Sequence, residues 1–295
     1  MAPLTYLSFS LLTLGVPALA LAATTDRTRL RRTLVAVTVL ATLTTVYALP
    51  WDGYLIREGV WFYPTDAVVG RIGYTPFGEF AFFFLQPLLT GLLFSRLFAG
   101  VAADVPKAPF PAKPVGAGGW FALALAGGAL LSVPGGYYLG ALLLWVCPLC
   151  GLLWAFGGHV IWQQRRVVAH SALLVTGYLL VVDWLALILG IWVVSPAHTL
   201  GLVAAGIPLE EALFFALTTL LVVQALCLLA WVAARTGADR LIWSELTKRL
   251  YSRLNLTSVG EIMARRREHR HLAEWAALVG VPVPEEKRAQ PDTGE

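Results

Sequence analysis

The stretch Ile207–Val232, IPLEEALFFALTTLLVVQALCLLAWV, decides the fold class. Past Glu210 and Glu211 it carries no charge to its end, and its length and apolarity suit a helix that crosses a bilayer. Two adjacent acids at the mouth of such a helix are costly, because a carboxylate near hydrocarbon loses its hydration. Glu211, Phe214, Phe215 and Thr218 follow at i, i+3, i+4 and i+7, so one helix face carries an acid and two rings together. Pro76, Glu79, Phe82, Phe83 and Gln86 repeat that spacing on an earlier apolar run.

The remaining chain has the same character. Its 295 residues are 58% hydrophobic and 14% charged, with a mean hydropathy of +0.70; a soluble domain carries about a quarter charged residues. The apolar runs predict seven spans: Leu4–Ala23, Leu34–Leu49, Phe77–Phe98, Gly119–Val133, Tyr137–Trp162, Ala172–Val194 and Leu209–Val232. The expected fold is therefore an all-α integral membrane protein of seven transmembrane helices. The first run could pass for a signal peptide, but Arg27, Arg29, Arg31 and Arg32 follow it, so it reads as a retained span. Pro50–Thr75 and residues 99–118 read as linkers. Lys and Arg crowd the linkers after spans one, three, five and seven, which places the N-terminus outside the cell membrane and the C-terminus in the cytoplasm. The net charge of +4 thus reads as topology and lipid contact, Arg265–Arg267 included, and not as nucleic-acid binding. Cys147 and Cys150 form a C-x-x-C inside an expected span, where packing is the favoured reading and no metal site is expected.

The two acid motifs belong to a longer internal duplication. Pro17 matches Pro148, Asp52 matches Asp183 and Trp61 matches Trp192, each 131 positions on. Pro64 matches Pro196, Pro76 matches Pro208, Glu79 matches Glu211 and Phe83 matches Phe215, each 132 on. Spans one to three then correspond to spans five to seven as parallel three-helix repeats, with span four as the joiner. The expected organisation is a first repeat over residues 1–98, a connector with span four over 99–136, a second repeat over 137–234, and a basic, partly disordered cytoplasmic tail over 235–295.

Topology brings the duplicated acids together. Asp52 and Asp183 end outward-running spans, whereas Glu79 and Glu211 begin inward-running ones, so all four are expected at the outer side around one cavity. Trp51, Trp61, Trp184, Trp192, Phe82, Phe83, Phe214 and Phe215 are expected to line it as the substrate-binding surface. Proline followed by acids is also an ordinary helix start, and tryptophans form interfacial belts; the duplication is what favours chemistry. A carboxyl group enclosed by apolar and aromatic surface can hold its proton near neutral pH. It can then protonate an alkene, aromatic faces can stabilise the cation, and a second carboxylate can remove a proton. That is cyclisation of a polyene, redox-neutral and with no cofactor. A retinal protein would need a lysine in the membrane, but Lys107, Lys113, Lys248 and Lys287 fall outside the expected spans. A proton-coupled transporter is the surviving alternative. His198, in an outer linker, reads as a loop residue, and Gly136 and Gly140 as a helix-packing pair.

Four stretches carry a resemblance to a known family: Pro50–Tyr54 (PWDGY), Val60–Tyr63 (VWFY), Glu79–Gly91 (EFAFFFLQPLLTG) and Gly206–Phe215 (GIPLEEALFF). The chain resembles the non-flavin lycopene cyclase domain, the integral-membrane type found as two small subunits or as one fused chain. The resemblance covers residues 1–235 and implies protonation of a carotenoid ψ end group, ring closure, and deprotonation to a β-ionone ring. Acting at both ends, that converts lycopene through γ-carotene to β-carotene; ε rings or longer carotenoids are alternatives. It implies Glu79, Glu210 and Glu211 as catalytic candidates, with Asp52 and Asp183 as supporting acids. The partners implied are lycopene and membrane lipid, and association with a further copy or with other carotenoid-pathway enzymes is left open. Gly78 stands where the second motif has Glu210, so the halves are not equivalent and the second is expected to supply the proton.

Overall fold

A computed structural model describes residues 4–236; Arg265–Arg267, His269 and His271 of the tail lie outside the described residues. Among the described residues seven helical runs follow one another: α1 (Tyr6–Ala23), α2 (Arg27–Arg57), α3 (Phe77–Leu97), α4 (Ala112–Leu130), α5 (Tyr137–Gln163), α6 (Arg165–Leu189) and α7 (Leu209–Thr236). All but α4 are long and apolar enough to cross a bilayer by length and composition. Large apolar side chains such as Leu19, Leu125 and Leu173 stand at least 70% exposed on the helix surfaces. Water would disfavour so many such faces and lipid does not, so the chain is a membrane protein.

Local chemistry sets the helix ends. Thr5 and Ser8 form a capping box at the start of α1, and Asp26 accepts from Arg29 N at the start of α2. Leu11–Gly15 of α1 is a π-helical turn just ahead of Pro17, where a wider turn accommodates the proline ring and its missing N–H. Span two does not stop at Leu49. Pro50 sits inside α2, which continues to Arg57, because one proline removes one hydrogen bond and the residues after it can resume the ladder. Asp52 and Leu55 are thereby carried on helix into the buried core. α6 lies ahead of its expected span, beginning at Arg165 and closing at Gly190, which takes the left-handed conformation (φ 66°). α4 likewise begins at Ala112, so Lys113 is in its first turn instead of in a linker. α4 packs closely on α5. A Cβ on Gly140 would stand 2.7 Å from Gly127 O, which requires glycine at this crossing and agrees with a packing role.

The segments between helices are ordered. After α2, β1 (Trp61–Phe62) pairs antiparallel with β4 (Val193–Val194), which follows α6; Trp61 faces Val194 and Phe62 faces Val193. Two hairpins lead into α3 and α7. β2 (Arg71–Ile72) pairs with β3 (Thr75–Pro76), and β5 (Val203–Ala204) pairs with β6 (Ile207–Pro208), residue for residue 132 positions later. Ala205, with φ 52°, occupies the turn position held by Gly73 in the earlier hairpin. A buried cluster of Tyr6, Leu55, Val60, Trp61, Tyr63, Tyr138, Val182 and Ile191 joins this loop layer to the helix ends. A second, with Val160, Val223, Cys227, Leu228 and Trp231, fills the opposite end of α5 and α7.

Candidate active site

Six helices and the paired β1 and β4 segments converge at the loop end of the bundle. The first turns of α1, α3, α5 and α7 supply Tyr6, Glu79, Tyr138 and Glu211; the last two turns of α2 and α6 supply Asp52 and Asp183; the strands and their flanks supply Trp61, Tyr63 and Trp192. Glu79 and Glu211 are each the third residue of their helix, where the positive end of the helix dipole favours a carboxylate. A cavity is lined by Tyr6, Asp52, Trp61, Tyr63, Glu79, Phe82, Tyr138, Trp192, Glu211, Phe214 and Phe215. No lysine, arginine or histidine is among these lining residues.

The acids are buried and partnered in two clusters. In one, Glu79 accepts a hydrogen bond from the phenol of Tyr63, with the Tyr6 phenol close to the same carboxyl and Thr75 close to Asp52. In the other, Glu211 Oε1 accepts from Tyr138 OH at 2.6 Å, and the Asp183 carboxyl lies beside it. Asp183 Oδ1 also accepts from Trp192 Nε1 at 3.2 Å. Burial, reinforced by the Glu79 charge, pushes the Tyr63 phenol well above its ordinary value of 10, so it stays a hydrogen-bond donor. Outside it, Arg71 stands over the Tyr63 ring at 5.7 Å. Such a cavity offers carboxyl groups able to give and take protons, walled by the faces of aromatic rings.

The lycopene cyclase family model matches residues 3–97 and 136–229. The chain belongs to the lycopene cyclase family. A lycopene beta-cyclase of Halobacterium salinarum is 37% identical over 241 residues, covering 78% of this chain and 98% of that protein. Bifunctional lycopene cyclase/phytoene synthases of Podospora anserina and Colletotrichum graminicola are 35% and 34% identical, over 64% and 62% of this chain and 33% of each of theirs. No solved structure matches the chain.

For this family member, the residues expected from sequence divide into three groups. Asp52, Glu79, Glu211, Trp61, Phe82, Trp192, Phe214 and Phe215 are brought together around the cavity. Asp183, Trp51 and Phe83 form the layer behind it. Asp183 touches both Trp192 and Glu211; Trp51 stacks between Trp145 (4.2 Å) and Phe214 (6.2 Å); Phe83 meets Phe82 edge-on. Glu210 and Trp184 depart from expectation. Glu210 is fully buried, but its Oε1 accepts from Leu200 N at 2.8 Å and pins the preceding loop, away from the cavity lining. Trp184 is 44% exposed, because the residue after Asp183 is turned about 100° around the helix and looks outward. His198 bonds Ser195 Oγ through Nδ1 and lies outside the lining. Sequence reasoning missed the three phenols. A signal existed for two of them, since Tyr6 and Tyr138 stand 132 positions apart, like the glutamates they bind.

Proposed function

We propose that the chain is a lycopene β-cyclase that protonates a ψ end group of its carotenoid in this cavity, closes the ring and removes a proton to leave a β-ionone ring. The observation that carries it is the meeting of two carboxyl–phenol clusters in one aromatic-walled space at the loop end of six apolar helices. A carboxyl proton passes to the terminal double bond and leaves a tertiary cation. The electron pair of a nearby double bond closes the six-membered ring and moves the cation onto it. A carboxylate takes a neighbouring proton, and that C–H pair becomes the ring double bond. Trp61, Phe82, Trp192, Phe214 and Phe215 present π surface to the positive charge at both stages. The name and extent of the Halobacterium salinarum relative support the substrate.

The same reading includes seven spans, with α4 crossing as well, and two parallel repeats covering residues 1–98 and 137–234 around the connector of 99–136. Supporting it are the 132-position match of the two hairpins, the antiparallel pairing of β1 with β4, and the two blocks matched by the family model. The distribution of Lys and Arg supports an outer N-terminus and an outer cavity.

The test is carotenoid analysis of a lycopene-accumulating host expressing the native chain or Glu211→Gln, followed by the same assay in detergent. Native chain should give β-carotene, and the variant, at equal amounts in the membrane, should leave lycopene. Unchanged lycopene with folded native protein would sink the reading. Conversion in detergent also separates an enzyme from a proton-coupled transporter, which does nothing without two compartments.

A further inference from the structure

We propose that the carotenoid's polyene chain reaches the cavity through the seam between α2 and α5, over Ala141 and along the rings of Trp51, Trp145 and Tyr47, while the matching seam between α1 and α6 is closed by Phe9. This rests on the cyclase reading above and deepens it, by giving the chain behind the end group a binding site of its own.

The duplication makes two seams that can be compared. Tyr47 of α2 donates its hydroxyl to Trp145 O of α5 at 2.9 Å; Tyr178 of α6, 131 positions on, donates to Thr13 O of α1. Thr13 and Trp145 are themselves 132 positions apart. The two tyrosines thus tie corresponding helix pairs together, and both reach the surface of the bundle, 40% and 36% exposed.

The seams differ in what lines them. On α5, Tyr138, Ala141 and Trp145 follow at i, i+3 and i+7, one helix face running from the cavity wall to the tyrosine bond. The same face of α1 reads Tyr6, Phe9 and Thr13. The π-helical turn supports this register. The offset of 132 between Tyr6 and Tyr138 becomes 131 between Pro17 and Pro148, and the wider turn at Leu11–Gly15 takes up the extra residue. Phe9 precedes that turn and therefore corresponds to Ala141.

Phe9 is 2% exposed and meets Trp192 edge-on at 5.9 Å, so a phenyl ring fills the cavity end of the α1–α6 seam. Leu14, Ala18, Val175 and Leu179 pack together farther along it. In the α2–α5 seam a methyl stands where that phenyl would be, and rings follow in series. Phe214 of the cavity wall lies 6.2 Å from Trp51 with planes 1° apart, Trp51 lies 4.2 Å from Trp145 at 10°, and Trp145 lies 5.5 Å from Tyr47 at 13°. Nearly parallel planes bring the ring edges into line. The Tyr47 hydroxyl is spent on Trp145 O, so the line carries no charge and no free hydroxyl. A carotenoid is far longer than the cavity that takes its end group, and the rest must leave between helices. A flat, conjugated, apolar chain gains dispersion contact along such a wall.

The experiment measures kcat and KM in detergent for lycopene, with thermal unfolding on the same samples. The comparison ligand is a ψ-ended polyene too short to reach Trp145, scored as substrate or as competitive inhibitor. Trp145→Leu should raise KM for lycopene about tenfold, the loss of one aromatic contact, with kcat within about twofold and the short polyene bound as before. Ala141→Phe should lower kcat/KM for lycopene about tenfold or more, because it plugs this seam as Phe9 plugs the other; Ala141→Leu gives the milder plug if the first variant does not accumulate. Phe9→Leu should stay within about threefold of native kcat/KM, being outside the proposed path. Folded Ala141 variants that keep more than about half of native kcat/KM would overturn the proposal. So would a Trp145→Leu protein that weakens both ligands alike, the mark of a merely structural role. A native chain that makes no rings would overturn the cyclase reading itself, so the two failures are distinct.

Discussion

Gly78→Ala adds one methyl group to the first acid motif and should nearly silence the enzyme while leaving most of it folded. Gly78 occupies the place that Glu210 holds in the second motif, and the reason is the Tyr6 ring lying over it. A Cβ at Gly78 would stand 2.2 Å from Tyr6 Cδ1 and 2.4 Å from Cγ, whereas ordinary contact begins near 3.4 Å. The ring must therefore retreat by about 1.2 Å, the difference of the two distances. It has little room, being stacked on Tyr63 at 5.3 Å and set against Trp192 at 5.2 Å. Overpacking of this kind costs about 1–3 kcal/mol, and better helix propensity returns at most about 1 kcal/mol. The larger consequence is for Glu79, which loses the alignment of the Tyr6 phenol; a displacement near 1 Å at a reacting group lowers rate about 10²-fold. The assay is β-carotene formed per unit of purified protein in detergent, with thermal unfolding on the same samples. Gly177→Ala is the control, since an added Cβ there meets nothing within 4 Å. A Gly78→Ala protein that keeps more than about half of native turnover would refute the claim that Tyr6 places Glu79.

Further outcomes follow from the same geometry. Glu210→Ala removes the acceptor of Leu200 N and should cost about 1–3 kcal/mol of stability; its lower unfolding temperature should come with native turnover per folded molecule. Trp184→Leu should change cyclisation by no more than about twofold, because that side chain looks away from the cavity. Ala205→Gly should raise the unfolding temperature slightly, by about 0.5–1 kcal/mol in stability, since alanine is held at φ 52° where the matching turn has Gly73.

The long apolar runs and the doubled Pro-x-x-Glu spacing made both the membrane class and the two glutamates legible, because each is a periodic signal carried along the chain. Helix ends were less legible. Pro50 looked like a stop, and only the packing of Asp52 and Leu55 behind it shows why α2 continues. Trp51 and Trp184 entered the expected lining through being next to Asp52 and Asp183, but neighbours on a helix face different ways. Trp51 ended in a stack behind the wall and Trp184 on the outside. Tyr63 lay inside the VWFY stretch that carries the resemblance, but nothing in the duplication marked it as a site residue. It reaches Glu79 only through the β1–β4 layer, and without a counterpart in the second half the duplication could not mark it.

The short β1–β4 pairing bears on how such a chain could have arisen. Its strands come from corresponding places in the two halves, so either half alone carries an edge that could pair with its own copy about a two-fold axis. A homodimer of first halves would then repeat the Tyr63–Glu79 cluster, and a homodimer of second halves the Tyr138–Glu211 cluster. Neither would bring the two different clusters to one cavity. Joining two copies would let Tyr63 and Ser195, or Gly78 and Glu210, drift apart in sequence while the β1–β4 pairing still joins the segments that carry them.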